Sequence, residues 1–426
     1  MKRKVLVLLL IVMSLSLISC AKKIDDTKAK DIAESCMQSL RDSDGKALFK
    51  AAKLEGQKQI TEEDYQRSLD LTMQKLGKFI KSNTEDFIYK DDRFILTSYD
   101  EFEYRDATSI IELDKAGTMV NSYFVLTNPK CEVNDDFEEK PFTLNNGTAK
   151  MYGIICKPKN PSTKAIVVML QGSGPQDMDE TIGLAGNKPF KDIAHGLAKL
   201  GIATLRYDKR YVNNAAVDYT IDEEIISDAK KVIDGLKEDK EYDEVYLLGH
   251  SLGAMVAPKI AREEGLKKVA MLSASTMKFT DIIYNQQLEY LNSGAVGQAA
   301  AEFQKKELDK IKKQIDEMTE KTKGNFFSMP ASYVYSVNQV SPVEDIKAAE
   351  FDVFIAHGSK DFQVKKDELD KFEKALNGRE HVIYKLYEGL NHMMMPEDSD
   401  KFSMDIYDKP NNVSDDVIND LAEFFI

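Results

Sequence analysis

Two rhythms of apolar spacing divide the chain. From Asp31 to about Lys130 the apolar residues first recur at helical intervals and then alternate. Ile32, Cys36 and Leu40 fall four apart, and Leu69, Met73 and Leu76 repeat the stripe, so two amphipathic helices are predicted. Strand patterns follow at 94–99, 109–113 and 122–126, with Asp114-Lys115-Ala116-Gly117 marking a hairpin between the last two. Helices followed by an antiparallel sheet predict a small α+β domain over residues 27–130.

An acidic stretch without periodicity, about Cys131 to Glu139, reads as a linker. Beyond it, from 140 to 426, short apolar runs alternate with helical segments. Strands are expected at 148–156, 165–170, 203–207, 244–248, 269–272, 353–356 and 382–386, and helices at 188–200, 221–237 and 251–264. Runs apolar on both faces, separated by helices, mean a mostly parallel sheet covered on both sides. Ligands of such α/β folds bind at the carboxyl ends of the strands. Residues 276–349 interrupt the alternation, and their middle, 299–321, is a strongly charged helical pattern. An insertion of this size at the ligand end is read as a helical cap over the site.

The first twenty residues stand outside this scheme. Lys2, Arg3 and Lys4 precede an apolar run from Val5 to Met13 and then Leu17-Ile18-Ser19-Cys20, which reads as an export signal. The ending resembles a bacterial lipobox, implying a lipoprotein signal peptide over 1–20, a lipid on Cys20 and a chain anchored to the cell membrane outside the cytoplasm. The alternatives are a signal peptide that ends near a cysteine by coincidence, or an uncleaved anchor helix. The run is short beside the ~20 residues of a membrane span. A polar tether, 21–30, follows at once.

Without Cys20 the cysteines are Cys36, Cys131 and Cys156, an odd number with no metal-ligand spacing, expected as mostly buried thiols. A net charge of −14 with no basic stripe argues against a nucleic-acid partner. At 426 residues the chain exceeds one ordinary core, consistent with two domains.

Gly249-His250-Ser251-Leu252-Gly253 lies between an apolar strand and a helix. A turn this tight needs glycines on either side of a strained residue, and it lifts the serine hydroxyl above the sheet. A serine is a poor nucleophile without a base. Of the five histidines, His392 follows the last predicted strand, where the base of such a fold lies; His357, also at a strand end, is the second candidate. Asp361, after the strand 353–356, is the candidate acid, since Asp352 begins that strand at the wrong end. For the oxyanion, one backbone donor is expected at Leu252. The other is expected in Gln171-Gly172-Ser173-Gly174, with Ser173 preferred and Gly172 second.

Residues 172–177 with Asp179-Glu180-Thr181, the strand end Leu205 to Arg210, the serine pentapeptide, Asp361-Phe362-Gln363-Val364 and Gly389-Leu390-Asn391-His392 together resemble a family of bacterial α/β hydrolases. These are carboxylesterases related to the serine aminopeptidase and prolyl-oligopeptidase-like branch. The resemblance covers about Phe142 to Ile426 and implies an α/β-hydrolase fold, no cofactor or metal, and a small acyl ester as substrate. One departure is Gln171, where such proteins carry His. Arg206, Asp208, Lys209 and Arg210 are expected either to support the loops or to touch an anionic substrate group. By pattern and position the first domain is similar to the cone-shaped NTF2-like domains that precede some secreted hydrolases. Competing functions are an exopeptidase or acyltransferase using the same serine, or an inert surface-binding lipoprotein.

Overall fold

The computed structural model describes residues 22–54, 60–147, 149–213, 218–294, 296–399 and 403–426. The export signal expected over 1–20, with Cys20, lies outside the described residues. The described residues separate into two compact units, 22–130 with Ile182–Gly186, and Cys131–Thr181 with Asn187–Ile426.

The first unit opens with α1 (Asp26–Arg41), α2 (Gly45–Ala51) and α3 (Glu62–Leu76). Asp25 caps α1 by accepting from Thr27 N, and Thr61 with Asp64 forms a reciprocal capping box at the start of α3. Four antiparallel strands follow in sequence order: β1 (Phe79–Lys90), β2 (Arg93–Phe102), β3 (Arg105–Asp114) and β4 (Met119–Pro129). Strict alternation along β2 and β3 buries one face of the sheet. β1 was not anticipated, because as an edge strand it is exposed at nearly every position and carries no alternation. A buried Asp100 on β2 accepts both arms of Arg41 at 3.0 Å and the hydroxyls of Ser98 and Ser109 at 2.6 Å, so this charge is fully partnered.

The second unit begins with a hairpin of β5 (Phe137–Asn146) and β6 (Ala149–Pro158), then β7 (Ala165–Leu170), α4 (Pro189–Lys199) and β8 (Ala203–Tyr207). Next come α5 (Ser227–Glu238), β9 (Glu244–His250), α6 (Leu252–Glu264) and β10 (Lys268–Leu272). The insertion holds α7 (Phe279–Asn292), α8 (Gln298–Asp316), the two-residue strands β11 (Asn325–Phe326) and β12 (Met329–Pro330), α9 (Ala331–Val337) and α10 (Pro342–Lys347). The chain closes with β13 (Asp352–Gly358), α11 (Asp367–Ala375), β14 (Val382–Tyr387) and α12 (Asp415–Phe425).

Eight strands form one sheet in the order β14-β13-β10-β9-β7-β8-β6-β5. The six from β14 to β8 run parallel, and β6 and β5 run antiparallel at one end. Two expectations are corrected. Residues 137–139, read as linker, begin β5, whose Pro141 disguised it as a loop; an edge strand tolerates the missing N–H. The stretch 276–349, expected as a cap, includes α10, which instead packs on α6 with Ile346 fully buried in the core and Asp345 bonded to Arg262 at 3.0 Å. α10 is therefore the covering helix that carries the chain from β10 to β13.

Candidate active site

β9 is buried from Val245 to His250, and the turn that follows it is forced by contact on both sides. A Cβ on Gly249 would lie 2.5 Å from the Ala254 backbone, and one on Gly253 would lie 2.1 Å from the Leu170 carbonyl. Ser251 between them adopts φ 52° and ψ −116°, a conformation that L-residues rarely hold, and its N–H donates to Leu272 O at 2.9 Å. The side chain is thus presented at the carboxyl end of the sheet, ahead of α6.

The loops after β13 and β14 meet backbone to backbone. Gly358 makes this possible: a Cβ there would lie 2.2 Å from the Leu390 carbonyl. Lys360 N donates to that same carbonyl at 2.9 Å. Asn391 stiffens the second loop, its side-chain oxygen accepting from Met393 N and Met395 N. Between the loops His392 Nδ1 lies 2.6 Å from Asp361 Oδ2, while Asp361 Oδ1 accepts from Gln363 N and Val364 N. Burial opposes charge on Asp361, but His392 and these N–H groups outweigh it and hold the carboxyl below its usual pKa. A carboxylate only accepts, so Nδ1 carries a ring proton and Nε2 is the nitrogen turned away from Asp361.

The His392 carbonyl accepts from His250 Nε2 and from Ser273 Oγ, both at 2.9 Å, and the two imidazoles meet edge to face with centroids 4.7 Å apart. Among the described residues Ser251 Oγ and His392 share no hydrogen bond, a contact that often tightens only with substrate in place. His357 is buried and directs Nε2 to Ala274 O at 2.7 Å, and burial lowers its pKa. His195 bonds Glu139, and His381 is exposed beside Asp352. His392 is the histidine paired with Asp361.

Of the expected oxyanion donors, Leu252 N–H stands at the start of α6 and Ser173 N–H in the loop after β7, and neither has a partner among the described residues. Gly172 is corrected: its N–H is committed to Glu180 Oε1 at 2.6 Å. Gln171, in the place of a family histidine, donates its amide to the carbonyls of Asp177 and Tyr207 and so ties the loop to the end of β8. Two buried pairs that the sequence did not reveal brace the same loop. Glu180 also meets His250 Nδ1 at 2.9 Å, and Lys209 Nζ donates to Gly172 O at 2.9 Å while pairing with Glu224 at 2.7 Å.

The other charges at the end of β8 and just after it make structural contacts. Arg206 bridges Asp179 and Glu139 at 2.7 Å each, Asp208 accepts from Met178 N, and Arg210 grips Asp228. Glu139, Cys156 and His195 place ligand atoms within 4.8 Å of one another. They do not suit a metal ion, because Glu139 Oε1 already accepts from His195 and from the Arg206 guanidinium, a cation beside the would-be site. Against the cost of burial, His195 and Arg206 hold the Glu139 pKa down to about 2. Cys36 and Cys156 are buried as expected, whereas Cys131 is exposed.

A mostly parallel eight-stranded sheet with a strained serine between its central strand and the following helix defines an α/β hydrolase. The chain belongs to the serine aminopeptidase S33 family of hydrolases, whose pattern matches residues 187–399. It is 32% identical over 334 residues to Esterase EstD of Thermotoga maritima, covering 76% of this chain and 78% of that one. Among solved structures it is similar to Est1E from Butyrivibrio proteoclasticus, at 16% identity and a TM-score of 0.44 over 67% of this chain and 97% of the other. The Pyrococcus furiosus esterase Pf2001 gives 16% identity and a TM-score of 0.43 over 68% and 90%.

Proposed function

We propose that this hydrolase cleaves small carboxylic esters through an acyl-enzyme on Ser251, with His392 as base and Asp361 as orienting acid. The observation that carries the reading is the buried Asp361–His392 pair at the carboxyl ends of β13 and β14, beside a serine held at positive φ. Ser251 Oγ attacks the ester carbonyl and yields its proton to His392 Nε2, and Asp361 stabilises the imidazolium. The oxyanion accepts from Leu252 N–H and Ser173 N–H. Collapse expels the alcohol, which takes the proton from His392. A water activated by His392 then attacks the acyl carbon and releases the carboxylic acid and free serine.

Resemblance to esterases by name, EstD among them, supports ester over amide substrates. The family description favours one second reading, removal of an amino-terminal residue from a peptide. Residues 27–130 are an NTF2-like domain, 137–426 the hydrolase domain, and α7 and α8 a cap; Gln286 of α7 reaches Gln363 O in the Asp361 loop. The sequence of 1–20 supports export and a lipid anchor on Cys20, facing outside the cytoplasm.

The test is fluorophosphonate labelling of the full chain beside Ser251→Ala, followed by a panel of acyl esters and aminoacyl anilides. Labelling lost in the variant together with ester turnover is expected. A protein that neither labels nor turns over any short ester would sink the proposal, and turnover of anilides alone would select the peptidase.

A further inference from the structure

We propose that Lys209 is a positioning residue for acyl transfer, whose ammonium on the Gly172 carbonyl aligns and polarises the Gly172–Ser173 peptide so that Ser173 N–H faces the developing oxyanion. The inference rests on the reading above, in which Ser173 is one of the two donors. A trans peptide holds its C=O and N–H antiparallel in one plane. Whatever fixes the oxygen of Gly172 therefore fixes the direction of Ser173 N–H.

Lys209 Nζ lies 2.9 Å from that oxygen and 2.7 Å from Glu224 Oε1. The two side chains are only 2% and 4% exposed, so the charge acts with little solvent screening. A cation at the carbonyl oxygen draws electron density toward it and leaves the N–H of the same peptide a stronger donor. On its other side Gly172 gives its N–H to Glu180, which holds the residue from behind. The loop is also pressed against the nucleophile, since a Cβ on Gly172 would lie 3.2 Å from Ser251 Cβ. Burying a lysine and a glutamate is costly, and an apolar pair of similar volume would pack there at least as well. What an apolar pair would not supply is a fixed charge on this one peptide, whose N–H is left unpartnered among the described residues.

The test compares the full chain with Lys209→Met/Glu224→Gln, which removes both charges together. Lys209→Gln, whose amide still donates without the charge, is the second variant in case the first does not fold. Rates are taken per serine titrated with fluorophosphonate, so that misfolded protein is not counted. The expected result is a fall in kcat of about 10- to 100-fold, part of the loss that follows removal of a whole oxyanion donor, with KM within about twofold. Affinity for a trifluoromethyl ketone, which forms the tetrahedral adduct on the serine, should weaken by the same factor. A merely structural role would lower Tm and the titratable fraction while leaving both readouts in place. Unchanged kcat per titrated serine and unchanged ketone affinity, with Ser251→Ala inactive, would overturn the positioning role alone. Activity retained in Ser251→Ala would overturn the reading beneath it.

Discussion

The first turn of α6 passes so close to the end of β7 that one methyl group should separate Ser251 from the loop after β7, the proposed nucleophile from its proposed donor. In Gly253→Ala the new Cβ would start 2.1 Å from Leu170 O and 2.6 Å from Gln171 O, where Cβ atoms essentially never come under 3.0 Å. Both obstacles are backbone, so no side chain can swing away, and α6 and β7 must part by about 1 Å. Overpacking of this kind costs about 1–3 kcal/mol, which lowers Tm by roughly 1–2 °C per kcal/mol in a protein of this size. The larger effect falls on rate. Gln171 leads into the donor loop and Gly253 sits two residues after Ser251, so the displacement opens the distance between attacking oxygen and donors. A 1 Å misplacement costs on the order of 10²-fold. Initial rates on a short-chain p-nitrophenyl ester, per titrated serine, would measure the loss, with Tm followed by differential scanning fluorimetry. Gly265→Ala is the control, since Gly265 has φ 65° but nothing within 4 Å of the added Cβ. It should lose roughly 1–2 kcal/mol to backbone strain with kcat unchanged. A folded Gly253→Ala protein whose kcat stays within about threefold of the parent would refute the close-approach argument.

Three further outcomes follow from burial and charge. Burial works against a charged His250, but Glu180 outweighs it and raises the ring's pKa. The resulting stability is full below the unfolded value near 6.5 and declines as pH rises through the raised one. Tm measured from acid to alkaline pH should show this decline and lose it in His250→Asn; identical slopes would exclude the ion pair. Burial pushes the Cys36 and Cys156 thiols up to about 11 and about 12, so iodoacetamide should modify exposed Cys131 alone of these three in the native protein, and mass mapping of Cys156 modification before unfolding would contradict it. Gly235 lies on the open face of α5 with nothing near an added Cβ. Gly235→Ala should stabilise the protein by about 0.5–1 kcal/mol, and a fall in Tm would count against that accounting.

The parallel strands were readable because burial on both faces leaves an uninterrupted apolar run, as in β7 and β9. Strands at sheet edges escaped for the opposite reason. β1 is solvated along nearly its whole length, and β5 is interrupted by Pro141 and exposed charges, so neither carries a period of two. α10 falls inside the stretch expected as a cap because six residues are too few to announce which surface they cover. The strained turn at Ser251 and the pairing of Asp361 with His392 were legible because the turn chemistry and the chain order of the fold restrict where such residues fall. Their supports were not. Glu180 and His250 are 70 residues apart, Glu224 lies in a π turn, and no spacing rule joins them. The clue was the charged strand end at 206–210, where the open question was support or substrate; Lys209 Nζ on the Gly172 carbonyl answers it for that residue.

The backbone angles of Ser251 carry a consequence for engineering. A non-glycine residue at φ 52° and ψ −116° stores on the order of 1–3 kcal/mol that the surrounding sheet and helix must hold in place. Glycine reaches the same angles without that strain. Ser251→Gly should therefore melt at a higher temperature than the parent while losing all turnover, whereas Ser251→Ala keeps the strain and gains no such increment. A library ranked by heat resistance alone would enrich the glycine variant and discard the Ser251 hydroxyl. Any search for a hardier form of this protein has to score turnover in the same well.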